Sequence, residues 1–212
     1  MCGSGHREVN GLLRRESMME KRVNLKDGRE VLIREMRPDD AERSLAFFQA
    51  LPDSDRAYLR REITSPAVIQ ERIEEMVAGR VIRLVAEHGG RIVADGALEF
   101  NFHGWMKHVG EIRLIVGHEY QKCGLGELMA LELYSVANRH KLEEIIVEMM
   151  GPQEGVQRIF ERLGFHKEAV LTGFVKDTKG LKHDLVIMRC PLAVLWDTLE
   201  DHMAETDWHQ RI

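Results

Sequence analysis

Apolar residues recur along this chain in two rhythms, and the switches between them outline its elements. From Val23, VNLKDGREVLIREM alternates Val31 and Ile33 with charged neighbours on one side of Asp27-Gly28, the pattern of strand, tight turn, strand. Pro38-Asp39-Asp40 then opens a helix, AERSLAFFQAL, that turns Leu45, Phe48 and Leu51 toward a core. Helical spacing returns in PAVIQERIEEMVAG, residues 66–79. Pro66 stands at the start, Ile69, Ile73, Met76 and Val77 share one face, and Gly79 lies past the end. In VIRLVAEHGGRIVADGALEF the period drops to two, giving a hairpin about Gly89-Gly90. A looser NFHGWMKH and a further strand, EIRLIV, follow. The loop HEYQKCGLG leads into a long helix from about Glu127 to His140. Its stripe is Leu125, Met129, Leu133, Val136 and Ala137, widened by Leu128 and Leu131, and a helix this apolar packs flat on a sheet. KLEEIIVEMM is the next strand, GVQRIFERLGF a helix ending at Gly164, and KEAVL and LKHDLVIMRC the last strands, joined across FVKDTKG.

Hairpins early and β-α-β later predict an α/β layering on a mixed sheet, as one domain over residues 23–190. Residues 1–22 read as an arm. Arg14, Arg15, Lys21 and Arg22 lie close together, as in a segment that touches nucleic acid, but Glu8, Glu16 and Glu20 dilute them, as in a solvated tail. Residues 191–212 read as an amphipathic helix striped by Leu192, Leu195, Trp196, Leu199 and Met203. That stripe either docks on its own domain or makes a homodimer contact.

The composition narrows the class. The 212 residues are 44% hydrophobic and 31% charged, which is soluble globular material long enough to bury a core without staples. Lys plus Arg is 30 and Asp plus Glu 35, a formal charge of −5, so a protein that grips nucleic acid over its surface is not expected. Cys2, Cys123 and Cys190 are odd in number and lack paired spacing, which argues against a disulfide framework or zinc knuckle and for a cytosolic setting. No apolar run approaches the ~18 residues of a membrane span, and the polar start has no apolar core of a secretory signal. His103, His108 and His118 are spaced by five and ten residues, which fits no metal pair, so no metal is expected. With Phe102 and Trp105 they surround a loop that either lines an acceptor pocket or packs on the sheet.

The informative chemistry lies between Val116 and Glu127, where Gln121-Lys122-Cys123-Gly124-Leu125-Gly126 joins a strand to a helix. Glycines at i and i+2 let the backbone bend closely around a ligand. The N–H groups of the loop and of the first helical turn lack internal partners and stand at the positive end of the helix dipole. That is an anion site suited to a pyrophosphate. A Gly-x-Gly also makes ordinary turns; the strand before it and the helix after it favour the anion. It is not a Walker loop, since no Lys-Ser or Lys-Thr follows Gly126. Nor is it the dinucleotide fingerprint, since Met129 stands where a third glycine belongs.

The run from Val116 through Tyr120-Gln121-Lys122-Cys123-Gly124-Leu125-Gly126 resembles the Gln/Arg-x-x-Gly-x-Gly/Ala signature of the GCN5-related N-acetyltransferases (GNAT). Downstream, Gln153-Glu154-Gly155-Val156-Gln157-Arg158-Ile159-Phe160-Glu161-Arg162-Leu163-Gly164-Phe165 is similar to that family's later segment, Asn…Ala…Leu-Tyr-x-Lys-Leu-Gly-Phe. The resemblance covers roughly residues 23–190. It implies the acyl-CoA N-acyltransferase fold, α/β with a mixed, mostly antiparallel central sheet flanked by helices, and acetyl-CoA as co-substrate. It implies further that Leu114, Ile115 and Val116 offer backbone groups to the pantetheine arm, in a slot made by a splay between their strand and IIVEMM. Lys122, Cys123, Gly124, Leu125, Gly126 and Glu127 would wrap the pyrophosphate, with Cys123 a packing residue rather than a nucleophile and Gln121 a further cofactor-binding residue. Gln153 stands where an Asn commonly contacts the cofactor. Phe160 replaces a Tyr whose hydroxyl protonates the leaving thiolate.

Transfer to an amine needs a base. An amine of pKa ~10.4 is neutral about once in 10³ at pH 7, a handicap of roughly 4–5 kcal/mol. A carboxylate that removes the proton typically contributes ~10²–10⁴-fold. Glu111, five residues before Val116, and Glu148, five before Gln153, are the candidates. Glu111 is preferred because it starts the strand that would hold the thioester, although either also reads as a salt-bridged strand residue. The expected activity is acetyl transfer by direct attack of a primary amine, on a small molecule or a protein lysine. A non-catalytic acetyl-CoA sensor is the other reading, and Phe160 favours it.

Overall fold

The computed structural model describes residues 20–101 and 104–193. The arm before Glu20, Phe102, His103 and the tail stripe from Leu195 onward lie outside the described residues. Alternating segments form β1 (Glu20–Asn24), β2 (Glu30–Glu35), β3 (Val81–His88), β4 (Arg91–Phe100), β5 (Val109–Val116), β6 (Glu144–Met150), β7 (His166–Lys176) and β8 (Lys182–Pro191). The helices are α1 (Ala41–Ala50), α2 (Asp53–Arg56), α3 (Pro66–Val77), α4 (Leu125–Arg139) and α5 (Glu154–Arg162). The strands join in one sheet in the order β1-β2-β3-β4-β5-β6-β8-β7. Every neighbouring pair is antiparallel except β5 with β6. This is the mixed, mostly antiparallel α/β sheet that the element order and the resemblance predict. Among the described residues no helix is long and apolar enough to cross a membrane.

Strand alternation divides the core between the two faces. Leu84 and Ala86 of β3 with Ala94 and Leu98 of β4 pack beneath Leu125, Met129 and Leu133 of α4. Val85 joins Phe47, Phe48, Ile69 and Ile73 under α1 and α3 on the other face. The α4 stripe is buried along its whole length, each large side chain worth roughly 1.5–3 kcal/mol. The helix lies flat because Gly96 leaves room for it: a Cβ there would stand 2.9 Å from Leu133 Cδ1 and 3.2 Å from Met129 Cε.

Four local expectations are corrected. β1 begins at Glu20, inside the stretch read as arm. Its Glu20, Lys21 and Arg22 are exposed edge residues paired to Arg34, Ile33 and Leu32, so they carry no apolar alternation to read. α4 starts at Leu125, two residues before Glu127. Val77 is 69% exposed, because α3 turns Arg72 to the sheet, where Asp95 awaits it at 2.8 Å. In α1, Phe47 is buried beside Phe48, while Leu45 is only partly covered.

A polar knot ties α1 to the sheet. Asp40, at the start of α1, has 0% exposure. Arg34 of β2 donates Nη1 to its Oδ2 at 2.7 Å and Nη2 to its Oδ1 at 2.9 Å, and the Arg37 N–H donates to Oδ2 at 2.8 Å. Arg43 also reaches Oδ1, and Glu87 of β3 accepts from Arg34 at 2.8 Å. Burial pushes the Asp40 carboxyl up, but these donors and the charges of Arg34 and Arg43 outweigh it, leaving the group below its ordinary value. A depressed folded value means that Asp40 contributes in full above about pH 4 and loses its contribution as pH falls through the folded value. Asp40→Asn should therefore cost about 3–5 kcal/mol near neutrality, read from the urea midpoint. The gap from wild type should narrow as the titration is repeated below pH 4.

Candidate functional site

The site begins where two strands part. β5 and β6 share four rungs, Val109↔Glu144 through Ile112↔Val147. Beyond them Arg113–Val116 pair only with β4, up to Ala94↔Val116, and Glu148–Met150 pair only with β8, up to Met150↔Leu185. The wedge opens into a cavity of about 560 Å³ walled by Leu114 and Ile115 of β5, Glu148 and Met150 of β6, and Gln153 and Phe160 at α5. The edge of β5 facing the wedge offers peptide groups with no strand beside them, the property a slot for an amide-bearing chain needs. Gln153 accepts the Met150 N–H on its Oε1 at 2.8 Å, so its amide oxygen is committed to the β6 end. Phe160 is buried edge-to-face against Phe165, with ring centroids 5.0 Å apart.

At the far end of β5 the chain makes a tight loop into α4. Lys122 has φ 60°, a left-handed conformation that costs a non-glycine residue about 1–2 kcal/mol, and Gly124 caps the helix with φ 92°. The first helical bond is Leu128 N–H to Gly124 O at 3.1 Å. Among the described residues, the N–H groups from Lys122 to Glu127 find no acceptor. Side chains pin the loop from beneath. Gln121 Nε2 donates to Val116 O at 3.3 Å and to Asp55 at 3.1 Å. Cys123 gives its Sγ–H to Tyr120 O at 2.8 Å, and Arg29 lies 4.0 Å over the Tyr120 ring. Cys123 and Leu125 point into the core, so only their backbones face outward. Glu127 has an ion pair with Arg162 at 3.6 Å.

The two carboxylates meet on one cation. Glu111 of β5 stands directly opposite Glu99 of β4, a like-charge pair that needs compensation. Arg113 supplies part of it, with Nη2 2.9 Å from Glu99 and Nε 3.5 Å from Glu111. Arg60, from the segment after α2, supplies the rest. Its Nη2 donates to Glu148 Oε2 at 2.8 Å and lies 2.6 Å from Glu111 Oε1 as an ion pair outside hydrogen-bond alignment. Glu148 sits just past the last β5–β6 rung, in the cavity wall, whereas Glu111 sits just before it. Nothing in the run YLRREITSP marks Arg60 in advance: it has no periodicity, and only the tertiary path of the α2–α3 segment brings it to the fork. Trp105 is 90% exposed rather than packed on the sheet, and His118 lies 3.4 Å from Asp55 at the surface.

A sequence model of the acetyltransferase (GNAT) family matches residues 41–165. No curated protein matches the chain by sequence. Among solved structures, the fold matches an acetyltransferase of the GNAT family from Streptococcus pneumoniae with TM-score 0.68 and 18% identity, over 76% of this chain and 99% of that one. It matches the ribosomal-protein-alanine N-acetyltransferase from Brucella melitensis with TM-score 0.66 and 19% identity, over 75% and 98%. It also matches yncA from Salmonella typhimurium, solved with its cofactor acetyl-CoA, with TM-score 0.67 and 17% identity, over 76% and 94%. At these identities the likeness is one of fold.

The loop geometry bears on covalent chemistry. Cys123 is 6% exposed with its thiol engaged, and burial pushes the Cys190 thiol up to about 11, Glu144 adding to the effect. At that value only about one Cys190 in a thousand is thiolate at pH 8. Iodoacetamide at pH 8 should leave both unlabelled in the folded protein and label both in urea, as read by peptide mass mapping. Rapid native labelling of Cys123 would reopen a nucleophilic role.

Proposed function

Because the chain belongs to the acetyltransferase (GNAT) family, we propose that it transfers an acetyl group from acetyl-CoA to a primary amine by direct attack, without a covalent enzyme intermediate. The observation that carries this is one continuous path: unpartnered loop amides, then the free edge of β5, then a pair of carboxylates at the fork. The donor sets fit the co-substrate part by part. Amides at Lys122 to Glu127 suit a diphosphate, as the helix terminus does. On the open edge the peptide groups of Leu114 and the N–H of Val116, whose carbonyl Gln121 holds, suit an arm that carries its own amides, with Ile115 turned to β4 between them. Apolar Phe160 suits the sulfur end.

Acetyl-CoA supplies an acyl group already activated as a thioester. The β5 edge orients that carbonyl and steadies the negative charge that develops on its oxygen. Glu148 takes the amine's proton on Oε1, the oxygen Arg60 does not use; Glu111 sits behind the fork and holds Arg60. We therefore propose Glu148, which lines the cavity, as the base in place of Glu111, the residue the sequence prefers. Phe160 has no proton to give, so the departing thiolate is left to solvent, and its modest basicity makes that sufficient.

Two substitutions test this. Gly126→Asp adds a Cβ at ordinary contact, 3.7 Å from Ile159 Cδ1 and Val116 Cγ2, and places an acid in the first turn of α4, where the helix dipole welcomes it. Melting temperature should hold while affinity for CoA by calorimetry falls at least about tenfold. Glu148→Gln should lower kcat by about 10²-fold or more, with acetyl-CoA affinity unchanged and partial recovery at high pH, where the amine deprotonates by itself. If Glu111→Gln gives that pattern instead, the two roles are exchanged. Phe160 favours one rival, a non-catalytic acetyl-CoA sensor. It predicts normal cofactor binding and no CoA thiol release with any amine.

A further inference from the structure

One buried cation in the cavity makes long ion pairs and, among the described residues, no hydrogen bond. Arg72 of α3 gives Nη2 to both oxygens of Asp95, at 2.8 and 2.9 Å, and lays its guanidinium 4.6 Å above the Phe48 ring. Arg113 pairs with Glu99 and Arg60 with Glu148. Arg83 of β3 differs. Its side chain is 5% exposed, yet Nη1 lies 3.7 Å from Asp95 Oδ1 and Nη2 3.7 Å from Glu75 Oε2, both too far for a hydrogen bond. Nε is buried with no acceptor. The Arg83 guanidinium therefore makes no hydrogen bond among the described residues. Asp95 is committed to Arg72, and Glu75 is shared with Arg61 at 3.5 Å. Burial, more than the nearby acids can offset, lowers the Arg83 pKa from its ordinary value.

A desolvated guanidinium with its donors unmade costs several kcal/mol, a cost that an incoming anion relieves. Arg83 lines the same cavity as Glu148 and the open β5 edge. The register shows why it has reach there. Arg83, Ala97 and Arg113 form one row across β3, β4 and β5, so the two arginines are about 10 Å apart at the backbone, two strand spacings. Ala97, between them, ends at Cβ and leaves the cavity floor open. One row along on the same face stand Glu99 and Glu111.

We propose that Arg83 receives a carboxylate of the acceptor, so that the acceptor is a small molecule carrying both a primary amine and a free carboxylate, an amino acid or a close chemical relative. The assignment rests on the acetyl-transfer reading, in which the amine lies at Glu148. The planar fork of Arg83 matches the two oxygens of a carboxylate. A lysine within a protein chain brings a side-chain amine but no carboxylate at that depth, and would leave Arg83 desolvated with only its two long ion pairs.

The test is a thiol-release screen with acetyl-CoA against the standard amino acids, each as the free acid and with every carboxyl methylated, run on wild type and Arg83→Met. Methionine fills the buried space with an unbranched chain, and melting temperature reports whether the variant folds. At least one free acid should turn over with kcat/KM about tenfold or more above its ester. Arg83→Met should raise KM for that acid at least tenfold, leaving the ester's KM and the calorimetric affinity for acetyl-CoA unchanged. The wild-type comparison needs no variant: acids and esters handled alike, or amines without a carboxylate preferred, overturn the assignment, as does an unchanged KM in a folded Arg83→Met. If acetyl-CoA binds normally and only the acid preference is missing, this assignment falls alone. If wild type gives no heat with acetyl-CoA, the transferase reading falls and takes it along.

Discussion

The separation of β5 from β6 after Ile112 and Val147 is the constraint on which the rest depends. Each strand is held along its length by a partner on its outer side, β5 by seven rungs to β4 and β6 by seven to β8. The two partners therefore pull in different directions, and the natural twist of each antiparallel pair widens the gap rather than closing it. Only four parallel rungs resist, and they lie at one end. What opens beyond them is a strand edge inside a domain, where unpaired peptide groups are costly unless water or a ligand chain meets them, about 1–3 kcal/mol for each group left bare. On the acetyl-transfer reading, the arm of the co-substrate meets these groups. The loop amides before α4 repeat the logic, since the side chains of Gln121 and Cys123 secure the loop from below and leave its N–H groups unspent.

Charge is distributed around the wedge as closely as packing allows. Glu99 and Glu111 face each other across a ladder, an arrangement viable only with cations between them. Arg113 and Arg60 fill that need. Arg60 does so from a segment outside the sheet, so the carboxylates are assembled by the packing of the α2–α3 segment and not by the strands alone. On the floor, Arg72 hydrogen-bonds both oxygens of Asp95 against Phe48, which fixes α3 to β4 and leaves Arg83 a longer ion pair with the same acid. Arg72 is hydrogen-bonded into the structure; Arg83 beside it, among the described residues, is not.

Much of the fold was legible in the sequence because its signals are local. The Leu125–Met129–Leu133 stripe, the Gly89-Gly90 hairpin and the strand–loop–helix around Gly124 each declare themselves within a few residues. Strand β1 was read too short because an exposed edge has no apolar alternation. Val77 was misassigned because a single buried Arg, matched to an acid 23 residues away, rotates α3 by more than its apolar pattern implies. The splay between β5 and β6 is expected from the resemblance, and the register shows it. The sequence marks neither Arg60 nor Arg83: Arg60 stands in the charged run LRRE, and Arg83, alone among the apolar residues of VIRLVA, looks the same whether it faces solvent or a buried carboxylate. The proposed preference for Glu148 over Glu111 rests on which residue lies beyond the last shared rung, a matter of register that no spacing within one strand encodes.

Phe160 brings these strands of argument together. Its ring is buried against Phe165 where α5 meets the mouth of the wedge, and it lines the cavity beside Gln153, whose amide secures the β6 end. There its ring forms part of the apolar wall of the cavity. A hydroxyl on the same ring would add a proton donor for a leaving group that is already a weak base, whereas a smaller side chain would lose the edge-to-face contact with Phe165. The position therefore needs the ring more than the oxygen. On the acetyl-transfer reading, phenylalanine here leaves the wedge intact, and the proposed proton transfer rests with the carboxylates at the fork.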